Sequence, residues 1–215
     1  MPVDVKICGL STEETVDAAL AAGADLVGFV FYGPSPRNIP PARASVLANR
    51  ARGKAKIVAL VVDADDETIK TINDAVNPDL FQVHGAETPE RVLAIGAITG
   101  KPVMKAIRIG NAADVVKADP FAGKAALILY DAKAPESLKG ALPGGNGLAF
   151  DWKLLGSGAP QAFVLSGGLT PGNVAEAIRV TGASIVDVSS GVESAPGIKD
   201  ISLIRKFIEA AKSAR

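Results

Sequence analysis

One cysteine and one histidine are all that the 215 residues contain of either type. A lone thiol excludes an internal disulfide, and without clustered Cys or His the usual zinc sites are excluded as well, so no metal is expected. Charge of a dominant sign is also missing. Lys plus Arg and Asp plus Glu number 23 each, a formal net charge of +0. With no broad positive field, neither nucleic acid nor an anionic membrane is an expected partner, and any anion must be held locally. No apolar run approaches the ~20 residues that cross a bilayer. Met1 leads into a strand-like segment instead of a signal peptide's apolar stretch, so a cytoplasmic location is expected. Neither G-x-G-x-x-G nor G-x-x-x-x-G-K-[ST] occurs, which argues against dinucleotide and nucleoside triphosphate chemistry; no cofactor is expected.

What is present is aliphatic. The hydrophobic fraction is 48% with aromatics at 5%, so Ala, Val, Ile and Leu must fill the interior, as in α/β proteins. Eight β-branched runs read as strands: Val3 to Cys8, Leu26 to Phe31, Ile57 to Val62, Leu80 to His84, Val103 to Ile109, Ala126 to Asp131, Ala162 to Leu165 and Ile185 to Val188. Helical stretches lie between them. Ser11-Thr12-Glu13-Glu14, Thr88-Pro89-Glu90 and Thr170-Pro171-Gly172-Asn173 read as helix starts, and Gly23, Gly100 and Gly182 as stops. Eight alternations predict a (βα)8 TIM barrel of parallel strands; an open doubly wound sheet is the alternative on the same pattern. No linker divides the chain, so residues 1–215 are expected to form one domain. The longest irregular stretch, Ala132 to Leu148, is a candidate lid. Both a monomer and a homodimer stay open.

Side chains alternate faces along a strand, which sorts the polar residues. Lys6 and Cys8 oppose Val5 and Ile7, and Gln82 and His84 oppose Phe81 and Val83. Asp131 shares a face with Leu127 and Leu129, Asp187 with Ile185 and Ser189. Each falls late in its strand, at the end where barrel enzymes collect their chemistry. Leu165-Ser166-Gly167-Gly168-Leu169 and Val188-Ser189-Ser190-Gly191-Val192 follow the last two strands. They read either as ordinary tight turns or as a phosphate site of backbone N–H groups, helped by a helix beginning near Pro171 or Pro196.

The ordered motifs resemble the phosphoribosylanthranilate isomerase family over nearly the whole chain. KICGL at Lys6 to Leu10, GFVFYGPSPR ending at Arg37 and QVHG at Gln82 to Gly85 come first. The strand carrying Asp131, GGNG before Phe150-Asp151-Trp152, LSGGL, and DVSSGVE with Lys199-Asp200 follow in the family's order. Val83, Asn146 and Ser166 depart from its commoner Leu, Thr and Ala.

The resemblance implies an Amadori rearrangement of a phosphorylated amino sugar, an aldose-to-ketose isomerisation without a cofactor. It implies Asp131 as general acid and Cys8 as general base, with Arg37 on the anthranilate carboxylate. Gln82, Asp187, Gly167, Gly168, Ser189, Ser190 and Gly191 are the other expected substrate-binding residues. Asp187 is expected either to hold the anthranilate amine or to pair with an interior lysine such as Lys105. His84 is expected to be structural or to support its neighbours. Lys6, two residues before Cys8 on the same face, is expected to favour the thiolate, and burial to keep a proton on Asp131. The rival readings are the aminoimidazole-carboxamide ribotide isomerase of histidine biosynthesis, which usually employs two aspartates, and a catalytically silent phosphate-binding barrel.

Overall fold

The computed structural model describes residues 3–134, 142–155 and 162–214. Eight parallel strands close a barrel in sequence order: β1 (Asp4–Cys8), β2 (Leu26–Phe31), β3 (Lys56–Val61), β4 (Leu80–Val83), β5 (Val103–Ile109), β6 (Leu127–Ala132), β7 (Val164–Leu165) and β8 (Ile185–Val188). All eight expected strands are present, three with the expected bounds and the others displaced by one or two residues. Closure comes from β8 pairing with β1, which sets Lys6 opposite Asp187 and leaves neither edge open.

Around the strands lie α1 (Glu13–Ala22), α2 (Pro41–Ala51), α3 (Asp66–Val76), α4 (Pro89–Thr99), α5 (Ala112–Val115), α6 (Val174–Thr181) and α7 (Ile201–Lys212). Their ends follow local chemistry. Thr12 and Thr88 accept from the backbone N–H groups of Thr15 and Arg91, and Gly23, Gly100 and Gly182 close their helices in the left-handed conformation. Between β6 and β7 the described residues contain a 3-10 turn, Trp152–Leu155. Among the described residues no helix is long and apolar enough to cross a membrane.

Two expected helix starts are corrected. Helix α6 begins at Val174, not near Pro171, because the Asn173 amide accepts from Thr170 N–H and donates to the Gly168 carbonyl, holding the preceding residues as a turn. No helix begins near Pro196. That residue lies in the turn of a hairpin formed by β9 (Glu193–Ala195) and β10 (Ile198–Lys199), and α7 starts only after Asp200 caps Leu203. The short helix that follows β8 is a 3-10 turn at Ser190–Val192.

The core forms two layers with different tasks. Outward residues such as Val5, Ile7, Phe29 and Phe81 pack under the helices, while Leu26, Val58, Leu80, Met104, Leu129 and Val164 plug the barrel itself. Each such side chain contributes about 1.5–3 kcal/mol on burial. Cys8, Gln82, Asp131 and Asp187 come later in their strands than this plug and therefore stand on a packed floor at the barrel's C-terminal mouth.

Candidate active site

One cavity opens at that mouth, and all ten residues named above as catalytic or substrate-binding border it. Three polar groupings give it shape.

The first surrounds Cys8. Lys6 is fully buried, and its Nζ donates to Asp187 Oδ1 at 2.8 Å across the β1–β8 register. Ser166 Oγ donates to the other Asp187 oxygen at 3.3 Å. Lys105, the partner suggested for Asp187, instead lies on the outward face of β5, where it pairs with Glu87 at 2.7 Å. Strand parity explains the correction: Lys105 is in register with outward-facing Val83, whereas Asp187 faces in. Gly28 makes room for this cluster, since a side-chain carbon there would lie 3.0 Å from the Cys8 sulfur and 3.2 Å from the Lys6 nitrogen.

Burial pushes the Cys8 thiol pKa up; Lys6 and Lys199 pull it down and Asp187 adds to the rise, for a net upward shift. Lys6 thus acts in the expected direction but is outweighed. Burial also opposes the charge on Lys6, yet attraction to Asp187 and Cys8 prevails and holds its pKa above the usual lysine range.

The second grouping centres on Arg37, which is 6% exposed although it follows a proline-rich loop. Its Nε and Nη2 donate to the two Glu193 oxygens at 2.7 and 2.8 Å. Lys199 Nζ donates to the same carboxylate at 2.6 Å and to Ser189, whose hydroxyl donates to the Cys8 carbonyl. Burial would raise the Glu193 pKa, but Arg37 and Lys199 hold it below the usual range. The β9–β10 hairpin thereby ties the loop after β2 to the loop after β8. Sequence reasoning gave Glu193 no role; its signal was a charge closing the DVSSGVE motif, six residues before Lys199.

The third joins β4 to β6. Gln82 Nε2 lies 3.1 Å from His84 Nδ1, and His84 Nε2 lies 3.1 Å from Asp131 Oδ2. Asp131 Oδ1 accepts from the Ala132 N–H at 2.9 Å. Opposite this chain, Gly167 and Gly168 take positive φ angles of 86° and 63°, and Gly191 packs against the Leu169 carbonyl where no side chain fits. Of the stretch expected as a lid, residues 135–141 lie outside the described residues. Its remainder reaches the cavity, where the Gly145 carbonyl accepts from Arg37 Nη2 at 3.2 Å.

A sequence profile for N-(5'-phosphoribosyl)anthranilate (PRA) isomerase matches residues 5–210. The N-(5'-phosphoribosyl)anthranilate isomerase of Rhizobium meliloti (strain 1021) is 53% identical over 215 residues, covering 100% of this chain and 99% of its own. The chain belongs to this family. Two solved phosphoribosylanthranilate isomerases match its fold over 98% of both chains. That of Thermotoga maritima is 37% identical with a TM-score of 0.86. The other, in complex with reduced 1-(o-carboxyphenylamino)-1-deoxyribulose 5-phosphate, is 35% identical with a TM-score of 0.85. Phosphoribosylanthranilate isomerase motifs separated by up to about 180 residues thus meet in this chain at a single cavity.

Proposed function

We propose that the chain, acting as one cytoplasmic barrel domain over residues 1–215, isomerises N-(5'-phosphoribosyl)anthranilate to 1-(2-carboxyphenylamino)-1-deoxyribulose 5-phosphate in tryptophan biosynthesis. The observation that carries this reading is the convergence of Cys8, Asp131 and Arg37 on one cavity with a glycine-lined corner. Asp131 protonates the ribose ring oxygen as the C1–O bond breaks and the amine nitrogen forms a Schiff base. Cys8 then removes the C2 proton, giving an enolamine that tautomerises to the ketone. Substrate and product are isomers, so no oxidant enters. Arg37 binds the anthranilate carboxylate, and Gly167, Gly168 and Ser189 to Gly191 receive the phosphate through backbone N–H groups and the start of the 3-10 turn. Asp187, neutralised by Lys6, borders the cavity where the anthranilate amine is expected.

Incubating purified protein with N-(5'-phosphoribosyl)anthranilate and following its fluorescence tests the reading; the signal is expected to fall at catalytic protein concentrations. Turnover of the aminoimidazole-carboxamide ribotide substrate alone would replace the reading with its rival.

Because burial holds the Cys8 pKa above that of an ordinary thiol, the thiolate is scarce near neutrality, and kcat/KM is expected to climb with pH. Lys6→Met removes a cation that favours the thiolate and leaves Asp187 unopposed, so this rising limb should move to higher pH. Asp187→Asn removes an anion and should move it lower. A pH profile of the two variants checks both signs; an unmoved limb in Lys6→Met would discount the lysine.

Glu193→Gln is expected to raise KM about tenfold with a smaller change in kcat, because a charge-assisted contact of ~1.5–3 kcal/mol no longer fixes Arg37. Steady-state kinetics check it, and an unchanged KM would mean that Arg37 needs no such support.

A further inference from the structure

His84 is the sequence's only histidine, and the proposed chemistry does not use it. It is 6% exposed and sits between fully buried Gln82 and the proposed acid Asp131. The order of contacts constrains its protons. With the Gln82 amide set so that Nε2 faces the ring, 3.1 Å away, it donates and His84 Nδ1 accepts, which places the neutral ring's proton on Nε2. In that setting the proton points at Asp131 Oδ2, 3.1 Å from Nε2.

The tautomer decides where an acid's proton can go. With Nε2–H donating to Oδ2, a proton carried on Oδ2 cannot also point at the imidazole. The Ala132 N–H occupies Oδ1, so the hydroxyl of a protonated Asp131 must turn towards the cavity. After transfer, the carboxylate left behind accepts from both Ala132 N–H and His84 Nε2–H and needs no rearrangement. In the opposite tautomer, Nε2 would be a bare acceptor and would draw the acid's proton to itself. Gly144 covers the contact closely: a side-chain carbon there would lie 2.7 Å from His84 Cε1 and 2.8 Å from Asp131 Oδ2, so nothing larger than glycine fits over the pair.

We propose that His84 is a positioning residue, set by Gln82 in the Nε2–H tautomer, which aims the Asp131 proton at the substrate's ring oxygen. Gln82 then works through His84 instead of on the substrate. Its Oε1 has no partner among the described residues, so the reverse setting of the amide, with Oε1 accepting from Nδ1–H, is the competing arrangement. This inference rests on the reading of Asp131 as general acid.

With one histidine in the chain, the nitrogen NMR spectrum of protein labelled in its histidine ring reports this imidazole alone. The wild-type protein is expected to show the neutral Nε2–H form, and Gln82→Met a mixture of tautomers. His84→Ala is expected to lower kcat about tenfold to a hundredfold with KM changed less than about threefold, the scale of a misplaced catalytic group. His84→Gln, which returns an N–H near the Nε2 position, should recover much of the loss. The Nδ1–H form in wild-type protein, or a His84→Ala kcat within about twofold of wild type, would overturn the inference. The spectrum needs no turnover, so a protein inactive on N-(5'-phosphoribosyl)anthranilate would sink the proposed function, whereas Nδ1–H in an active enzyme would sink this inference alone.

Discussion

Asp131→Asn is expected to lower kcat by about 10²–10⁴-fold, the range contributed by a positioned general acid. Asparagine keeps the shape of the side chain but carries no proton that it can give to a ring oxygen. The surroundings sharpen the effect, since Asp131 is 4% exposed, its Oδ1 accepts from Ala132 N–H, and its Oδ2 lies 3.1 Å from His84 Nε2, a donor in the proposed tautomer. An amide offers only one oxygen. Turned one way its NH2 meets the Ala132 N–H and turned the other way the Nε2–H of the proposed His84 tautomer, and a loss of about 1–3 kcal/mol in stability should accompany the loss of rate. Denaturant unfolding beside steady-state kinetics separates the two. A variant that turns over normally would remove Asp131 from the chemistry.

Cys8→Ala is the second large effect. Here too kcat should fall by about 10²–10⁴-fold, but for the opposite reason, since the group that accepts the C2 proton is gone. Stability should change little, because the thiol makes a small apolar contact with Val30 and Leu60 and alanine leaves only a small gap. Binding of a non-reactive product analogue should survive, measured by titration, because Arg37 and the glycine-lined corner are untouched. Loss of binding with loss of rate would make Cys8 a packing residue instead of a base.

Much of this architecture was legible because barrels obey a period of two. Alternation in four short strands placed Cys8, Gln82, Asp131 and Asp187 on the inward face, and the structure brings them to one mouth. The same rule, applied to β5, would have turned Lys105 outward and left Lys6 as the partner of Asp187, a contact that depends on β8 closing against β1. Glu193 was harder. Its pairing with Arg37 spans 156 positions and depends on a hairpin that local propensity does not reveal. The start of α6 was misplaced because proline at a first turn and proline in a preceding turn look alike until the Asn173 side chain is seen to hold that turn. The expectation that Lys6 favours the thiolate had the right sign, but sequence could not weigh it against burial.

The pairing of Cys8 with Asp131 across one substrate is tested most directly by a single turnover. Excess protein mixed with N-(5'-phosphoribosyl)anthranilate should convert it rapidly when wild type, while Asp131→Asn and Cys8→Ala should each bind it and convert it more slowly by at least about a hundredfold. Conversion by either variant at the wild-type rate would contradict the assignment of acid and base.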